Sequence, residues 1–231
     1  MDLKLKDKVA LVTGASRGIG QGIALSLADE GCDLMLTGRD EAALAGVATE
    51  VAKRGRKVAI SVLDLRAVGA EKPLVEAVRR EFGRLDVLVH AAAQLGPLTP
   101  VAHLDVRDWD KTVGLNLTAS WRLIRSLDPL LRASASARPI FLTTGIARKP
   151  RAFWGPYGIT KAAMEALVGT YAEETDHTPI RPVLLEPGPM RTRMRAEAYP
   201  GEDPASLTPP EAIGPLVVEL ARGDLEPPAY V

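Results

Sequence analysis

Short continuous apolar runs alternate along the chain with longer segments whose apolar positions recur every three or four residues. Lys8–Thr13 reads Val-Ala-Leu-Val at its centre, the unbroken run expected of a strand buried on both faces. Gly18–Glu30 follows with Ile19, Ile23 and Leu27 at spacing four, the stripe of a helix lying on a sheet, and Gly31 stops it. The alternation continues with a strand at Asp33–Thr37, a helix at Glu41–Arg54 ending at Gly55, and a strand at Lys57–Leu63. A helix at Lys72–Phe82 and a strand at Leu85–Val89 come next. Beyond a Gly/Pro-rich loop at Leu95–Pro100, the pattern predicts a long helix over Val106–Arg132. A strand at Pro139–Thr143, a helix at Tyr157–Thr175, a strand at Ile180–Leu185 and a helix at Pro209–Ala221 complete the series.

Strands alternating with helices of this length pair in parallel through right-handed crossovers. The expected fold class is therefore α/β, a single doubly wound parallel sheet with helices on both faces. No fixed-period repeat and no linker divides the chain, so residues 1–231 read as one domain. The Pro-rich stretch Glu186–Pro210 reads as a mobile loop within it.

Composition narrows the function. Hydrophobic residues at 46% and charged residues at 25% exclude wholesale disorder. Lys+Arg and Asp+Glu are 29 each, and a net charge of zero argues against a nucleic-acid partner. Cys32 stands alone, which excludes an intrachain disulfide and a thiolate cluster. His90, His103 and His177 lack ligand spacing, so no metal site is expected. The longest uncharged stretch, Val87–Leu104, is interrupted by Gln94, Gly96, Pro97 and Pro100, so no membrane span is expected. Asp2 and Asp7 interrupt the N-terminal lysines, and Val9–Val12 is too short for a secretory signal. A cytoplasmic protein is the expectation.

The first strand and first helix are joined by Thr13-Gly14-Ala15-Ser16-Arg17-Gly18-Ile19-Gly20. A glycine-rich turn entering a helix lets a diphosphate approach the backbone and rest at the positive helix end. Gly14 makes the turn, Gly18 permits close approach, and Gly20 lets the helix pack on the strand. The spacing is G-x-x-x-G-x-G, not the commoner G-x-G-x-x-G. The second strand ends Thr37-Gly38-Arg39, where an acidic residue would read a ribose 2′-hydroxyl. Gly38 leaves room instead, and Arg39, with Arg17 from the turn, suits a 2′-phosphate. NADP(H) is therefore expected over NAD(H). The bland alternative makes both arginines ordinary surface cations.

Tyr157 and Lys161 lie four residues apart at the start of a predicted helix and share one face. A neighbouring ammonium stabilises phenolate, so Lys161 is expected to lower the Tyr157 pKa and equip it to exchange a proton with a carbonyl or alcohol oxygen.

These features resemble the short-chain dehydrogenase/reductase family, over roughly residues 6–222: the glycine turn, an Asn in the long fourth helix, and Y-x-x-x-K after the fifth strand. The resemblance implies a hydroxyl residue 13 positions before the tyrosine, here Thr144, that hydrogen-bonds the substrate oxygen. It implies that Asn116 anchors a water relay to Lys161. It implies that Asp64-Leu65 contacts the adenine, and that Pro187-Gly188 with Thr192 holds the nicotinamide amide. Ser16, Ile19 and the segment His90-Ala91-Ala92 complete the implied cofactor contacts. The implied activity is hydride transfer between a nicotinamide and a small carbonyl or secondary alcohol, in a homodimer or homotetramer.

Three places depart from the family. Thr144 stands where serine is usual, and its methyl restricts χ1. His90-Ala91-Ala92-Ala93 replaces Asn-Asn-Ala-Gly, with His90 expected to tie neighbouring strands. The chain ends Leu225-Glu226-Pro227-Pro228-Ala229-Tyr230-Val231, which puts a seventh strand in doubt. The first two departures motivate an alternative function, a cofactor-binding sensor or scaffold with little turnover. Arg148, Lys149 and Arg151, with Arg191, Arg193 and Arg195, would favour an anionic substrate or form solvated loops balanced by Glu197, Glu202 and Asp203. Phe153 and Trp154 would line a substrate mouth or a subunit contact, and Trp121 and Leu123 would pack between subunits.

Overall fold

The computed structural model describes residues 5–223. The first strand, β1 (Val9–Thr13), is buried throughout and leads through the glycine turn into α1 (Gly18–Asp29). Then come β2 (Asp33–Gly38), α2 (Glu41–Lys53), β3 (Val58–Val62), α3 (Glu71–Phe82) and β4 (Val87–His90). The second half runs α4 (Val106–Val113), α5 (Ala119–Arg132), β5 (Arg138–Leu142), α6 (Gly155–Thr175), β6 (Val183–Leu185), α7 (Arg193–Ala198) and α8 (Gly214–Arg222). Among the described residues the strands form one six-stranded sheet in the order β3-β2-β1-β4-β5-β6, every neighbouring pair parallel. The chain starts at the centre, winds outward one way, then returns to wind the other way. The reversal falls between β1 and β4, and ligands bind at the carboxyl ends of strands at such a point.

One apolar cluster lies on each face of the sheet. Ile23, Leu27, Leu44, Val47, Val217 and Leu220 pack on one face, and Leu74, Leu123, Leu127, Met164 and Val168 on the other. A buried carboxylate, Asp86, pins the amino-terminal edge. It accepts from Val9 N (2.9 Å), Ser134 Oγ (2.5 Å) and Arg84 Nε (3.0 Å).

Four sequence expectations change. The helix expected over Val106–Arg132 is interrupted at Gly114–Thr118 by a π-helical turn that carries Asn116. The side chain of Asn116 bonds Gln94 and Thr160 across this turn, and the extra residue absorbs the shift in face. The Glu186–Pro210 stretch, read as a loop, contains the short helix α7, which Thr192 caps through Arg195 N (3.2 Å), and Met190 pairs with Thr208. Helix Pro209–Ala221 begins as a 3-10 turn at Pro210–Ile213, because Pro215 has no N–H to give the Glu211 carbonyl that an α-helical ladder would pair with it. Leu123 is wholly buried in the chain's own core, so it packs between no subunits, whereas Trp121 on the same helix is exposed. The C-terminal strand question lies outside the described residues. No helix among them is long and apolar enough to cross a membrane.

Candidate active site

Two adjoining cavities open at the carboxyl ends of the strands. The larger, about 900 Å³, is lined by the glycine turn, Arg39, Asp64, Leu65, Ala91 and Ala92. The second, about 690 Å³, is lined by Thr144, Trp154, Gly188, Met190 and Tyr199 among others. Tyr157, Thr143, Pro187 and Thr192 line both, so the phenol stands on the wall they share.

The glycine turn is built by contact between backbones. A Cβ on Gly20 would lie 2.3 Å from the Gly14 carbonyl oxygen, and one on Gly14 would lie 2.9 Å from Ala92 N. Gly14 and Gly18 also have φ of +67° and +58°, which L side chains disfavour. At Gly18 an added Cβ would meet only Thr192 Cγ2, at 3.6 Å, so this stretch of backbone faces open space. No side chain caps the N-terminus of α1, which leaves its first N–H groups directed at the cavity. Ser16, Arg17, Ile19 and Arg39 line the same cavity. A phosphate-rich dinucleotide fits this cradle: bare backbone, free helix donors and two guanidinium groups at its edge. Asp64 also lines it, with its carboxylate held by Arg66 Nε at 3.0 Å.

His90 is buried and does not line either cavity. Its Nδ1 lies 2.9 Å from Thr13 Oγ1, which in turn accepts from Ala92 N (3.2 Å). The ring therefore ties β4 to β1 beneath the glycine turn, and a direct cofactor contact for His90 is corrected to this supporting place. Burial, with the Lys161 charge adding to it, pushes its pKa down to about 3, so the ring is neutral.

Tyr157 and Lys161 both come from α6 and both line the larger cavity. Lys161 Nζ donates to the Leu142 carbonyl (2.6 Å) and is buried. Burial lowers its pKa to about 8, against an upward pull from Glu165. Tyr157 differs from expectation. Burial raises its phenol to about 12, and the ammonium, directed at Leu142, does not offset that. Thr144 lines the second cavity, with its Oγ1 accepting from Ile146 N at 3.4 Å. Asn116 is buried and gives its amide to Gln94 O (2.9 Å) and Thr160 Oγ1 (3.1 Å), holding the helix turn that carries Lys161.

Sequence reasoning overlooked a polar network behind Thr144. Thr143 Oγ1 donates to Glu165 Oε1 (2.5 Å), Gly145 N donates to Glu186 Oε1 (2.7 Å), and Arg148 pairs with both carboxylates. Glu165 was visible as the next step of the spacing-four row Tyr157–Lys161–Glu165. Glu186 had no local signal. Of the six cations considered, Arg193 pairs with Glu197 and Arg195 with Glu202, as the solvated-loop reading expects.

The chain matches the short chain dehydrogenase family over residues 8–203. It is 34% identical over 223 residues to YciK, an uncharacterised oxidoreductase of Escherichia coli strain K12, covering 95% of this chain and 88% of that one. A Pseudomonas syringae structure assigned to the short chain dehydrogenases superposes with a TM-score of 0.92 at 40% identity, covering 96% of this chain and 91% of the other. A Shigella flexneri structure with the same assignment, complexed with NADP, gives 0.91 at 34% identity, covering 96% and 93%. A family match across most of the chain, with similarity this high in both sequence and fold, means that the chain belongs to the short-chain dehydrogenases, a family of oxidoreductases.

Proposed function

We propose that this chain is an NADP(H)-dependent oxidoreductase that interconverts a carbonyl and a secondary alcohol. The observation that carries the reading is the position of Tyr157, on the wall between a cavity shaped for a dinucleotide and a second cavity large enough for a substrate. Arg17 and Arg39 would hold the 2′-phosphate, and the Gly14–Gly20 turn the diphosphate. Asp64-Leu65 would flank the adenine, with Ala91 and Ala92 below the sugar. Pro187, Gly188 and Thr192 would hold the carboxamide. When bound, the reduced nicotinamide supplies hydride to the carbonyl carbon and is oxidised in doing so.

The chain supplies the proton. Tyr157 donates its phenolic proton to the carbonyl oxygen, giving the alcohol, while Thr144 orients that oxygen. Near neutral pH the phenol, raised to about 12 by burial, carries the proton it is to donate. Lys161, protonated below about pH 8 and lining the same cavity as Tyr157, would hold the cofactor ribose. Asn116, bonded to Thr160 beside Lys161, would anchor the proton relay to that lysine. Exposed Trp121 supports a contact between copies of the chain.

The test is Tyr157→Phe, assayed by NADPH oxidation with any carbonyl the wild type reduces, beside a cofactor titration. Loss of general acid catalysis predicts a fall of at least ~10²-fold in rate with NADPH affinity nearly intact. A Phe variant with wild-type turnover removes Tyr157 from the chemistry. Tight NADPH binding with no turnover of any carbonyl by the wild type favours the sensor instead.

A further inference from the structure

Beyond Tyr157 the second cavity continues as a row of aromatic rings. Trp154 meets Tyr157 edge to face, with centroids 6.0 Å apart and planes at 61°. Trp154 meets Tyr199 at 5.7 Å and 40°. Two ring-to-ring steps therefore lead from the proton donor to Tyr199 along one wall, and Met190 and Met194 line the same space. Such a slot accepts a flat body through ring-face and thioether contacts.

The far end is cationic. Arg148, Lys149, Arg151 and Arg195 all line this cavity, and Glu186 is the carboxylate among its lining residues. Two of the cations are already neutralised. Arg148 pairs with Glu165 and Glu186, and Arg195 is gripped by both oxygens of Glu202 at 2.6 Å while stacked 3.8 Å above the Tyr199 ring. Lys149 and Arg151 have no carboxylate within ion-pair distance among the described residues. Arg151 is nonetheless positioned, because its Nη1 donates to the Tyr199 phenol oxygen at 2.8 Å. A guanidinium held by a neutral phenol keeps its whole charge and most of its donors for an incoming anion.

We infer that the second cavity takes a small, flat carbonyl compound bearing a carboxylate at the end remote from the carbonyl. Arg151 and Lys149 receive the carboxylate, and Trp154 and Tyr199 form the wall along which the body of the molecule lies. The orientation, carbonyl toward Tyr157, rests on the function proposed above. The anion subsite stands on the charge count and the ring geometry alone.

The probes are para-acetylbenzoate and its longer biphenyl homologue, each paired with its neutral primary amide. Binding is measured by calorimetry in the presence of NADP⁺, and reduction by NADPH consumption. At a partly exposed rim, one or two such contacts predict that at least one acid binds roughly three- to tenfold more tightly than its amide, with the advantage shrinking as salt rises. Arg151→Gln with Lys149→Gln should make each acid and its amide equivalent in Kd and KM. Equal affinities in the wild type for both pairs, or an acid preference that survives in the double variant, overturn the subsite. An acid preference in binding without reduction of any probe keeps the subsite and removes the reaction. Reduction without charge preference does the reverse.

Discussion

Gly20 and Gly46 both sit inside helices, and helix propensity alone predicts that alanine stabilises each by ~0.5–1 kcal/mol. The structure separates them. Around Gly46 an added Cβ meets nothing within 4 Å, so Gly46→Ala should raise stability by that amount. At Gly20 the added Cβ would sit 2.3 Å from the Gly14 carbonyl oxygen and 2.8 Å from its carbon, where ordinary contact begins at 3.4 Å. The helix start must therefore retreat from the turn by about 1 Å, an overpacking that costs ~1–3 kcal/mol and outweighs the propensity gain. Each kcal/mol moves the melting temperature of a chain this size by ~2–4 °C. Gly46→Ala should thus melt a few degrees above wild type and Gly20→Ala a few degrees below it. The same retreat displaces the N–H groups offered to the diphosphate, so Gly20→Ala should bind NADPH at least about tenfold more weakly. Gly46→Ala, at a position that does not line the cavity, should bind it normally. Thermal melts and NADPH fluorescence titrations of the two variants make the test. A Gly20→Ala protein that melts with Gly46→Ala and binds NADPH like wild type would refute the backbone-packing account of this turn.

Arg39→Ala should weaken NADPH by about five- to tenfold and leave NADH nearly unchanged, since only the 2′-phosphate is lost as a partner; equal losses for both cofactors would contradict it. The Lys161 pKa of about 8 predicts that kcat/KM for carbonyl reduction falls on the alkaline side near that pH, as the ammonium loses its proton. Glu165→Gln removes an upward pull on that pKa, so the alkaline limb should move to lower pH; a flat profile from about pH 7 to 9.5 would sink both statements. Asp86→Ala strands the buried Val9 N–H and Ser134 hydroxyl and should cost ~2–4 kcal/mol, read by urea denaturation; a loss within ~0.5 kcal/mol would show that the edge tolerates them.

Local pattern was enough for the alternation of strands and helices, because a parallel strand buried on both faces must be a short unbroken apolar run and the covering helix must repeat every three to four residues. It was enough for the glycine turn and the Tyr157–Lys161 pair, since each depends on neighbours within one or two turns of chain. The resemblance to a known family supplied Thr144, 13 residues before Tyr157, together with Asn116 and the 187–192 segment, which the local apolar and polar pattern would not have singled out. Interactions between distant segments were decided only in the folded chain. The π turn at Asn116 goes with its amide reaching Gln94 and Thr160, and the contacts within 186–210 bring Arg195 to Glu202 and Met190 to Thr208. Burial of Leu123 follows from which face of α5 meets the sheet. The Tyr157 proton shows the difference most plainly. Spacing placed the ammonium and the phenol on one helix face, but burial and the Leu142 carbonyl set the direction of the shift, and the cost of taking a charge out of water depends on the whole fold around it.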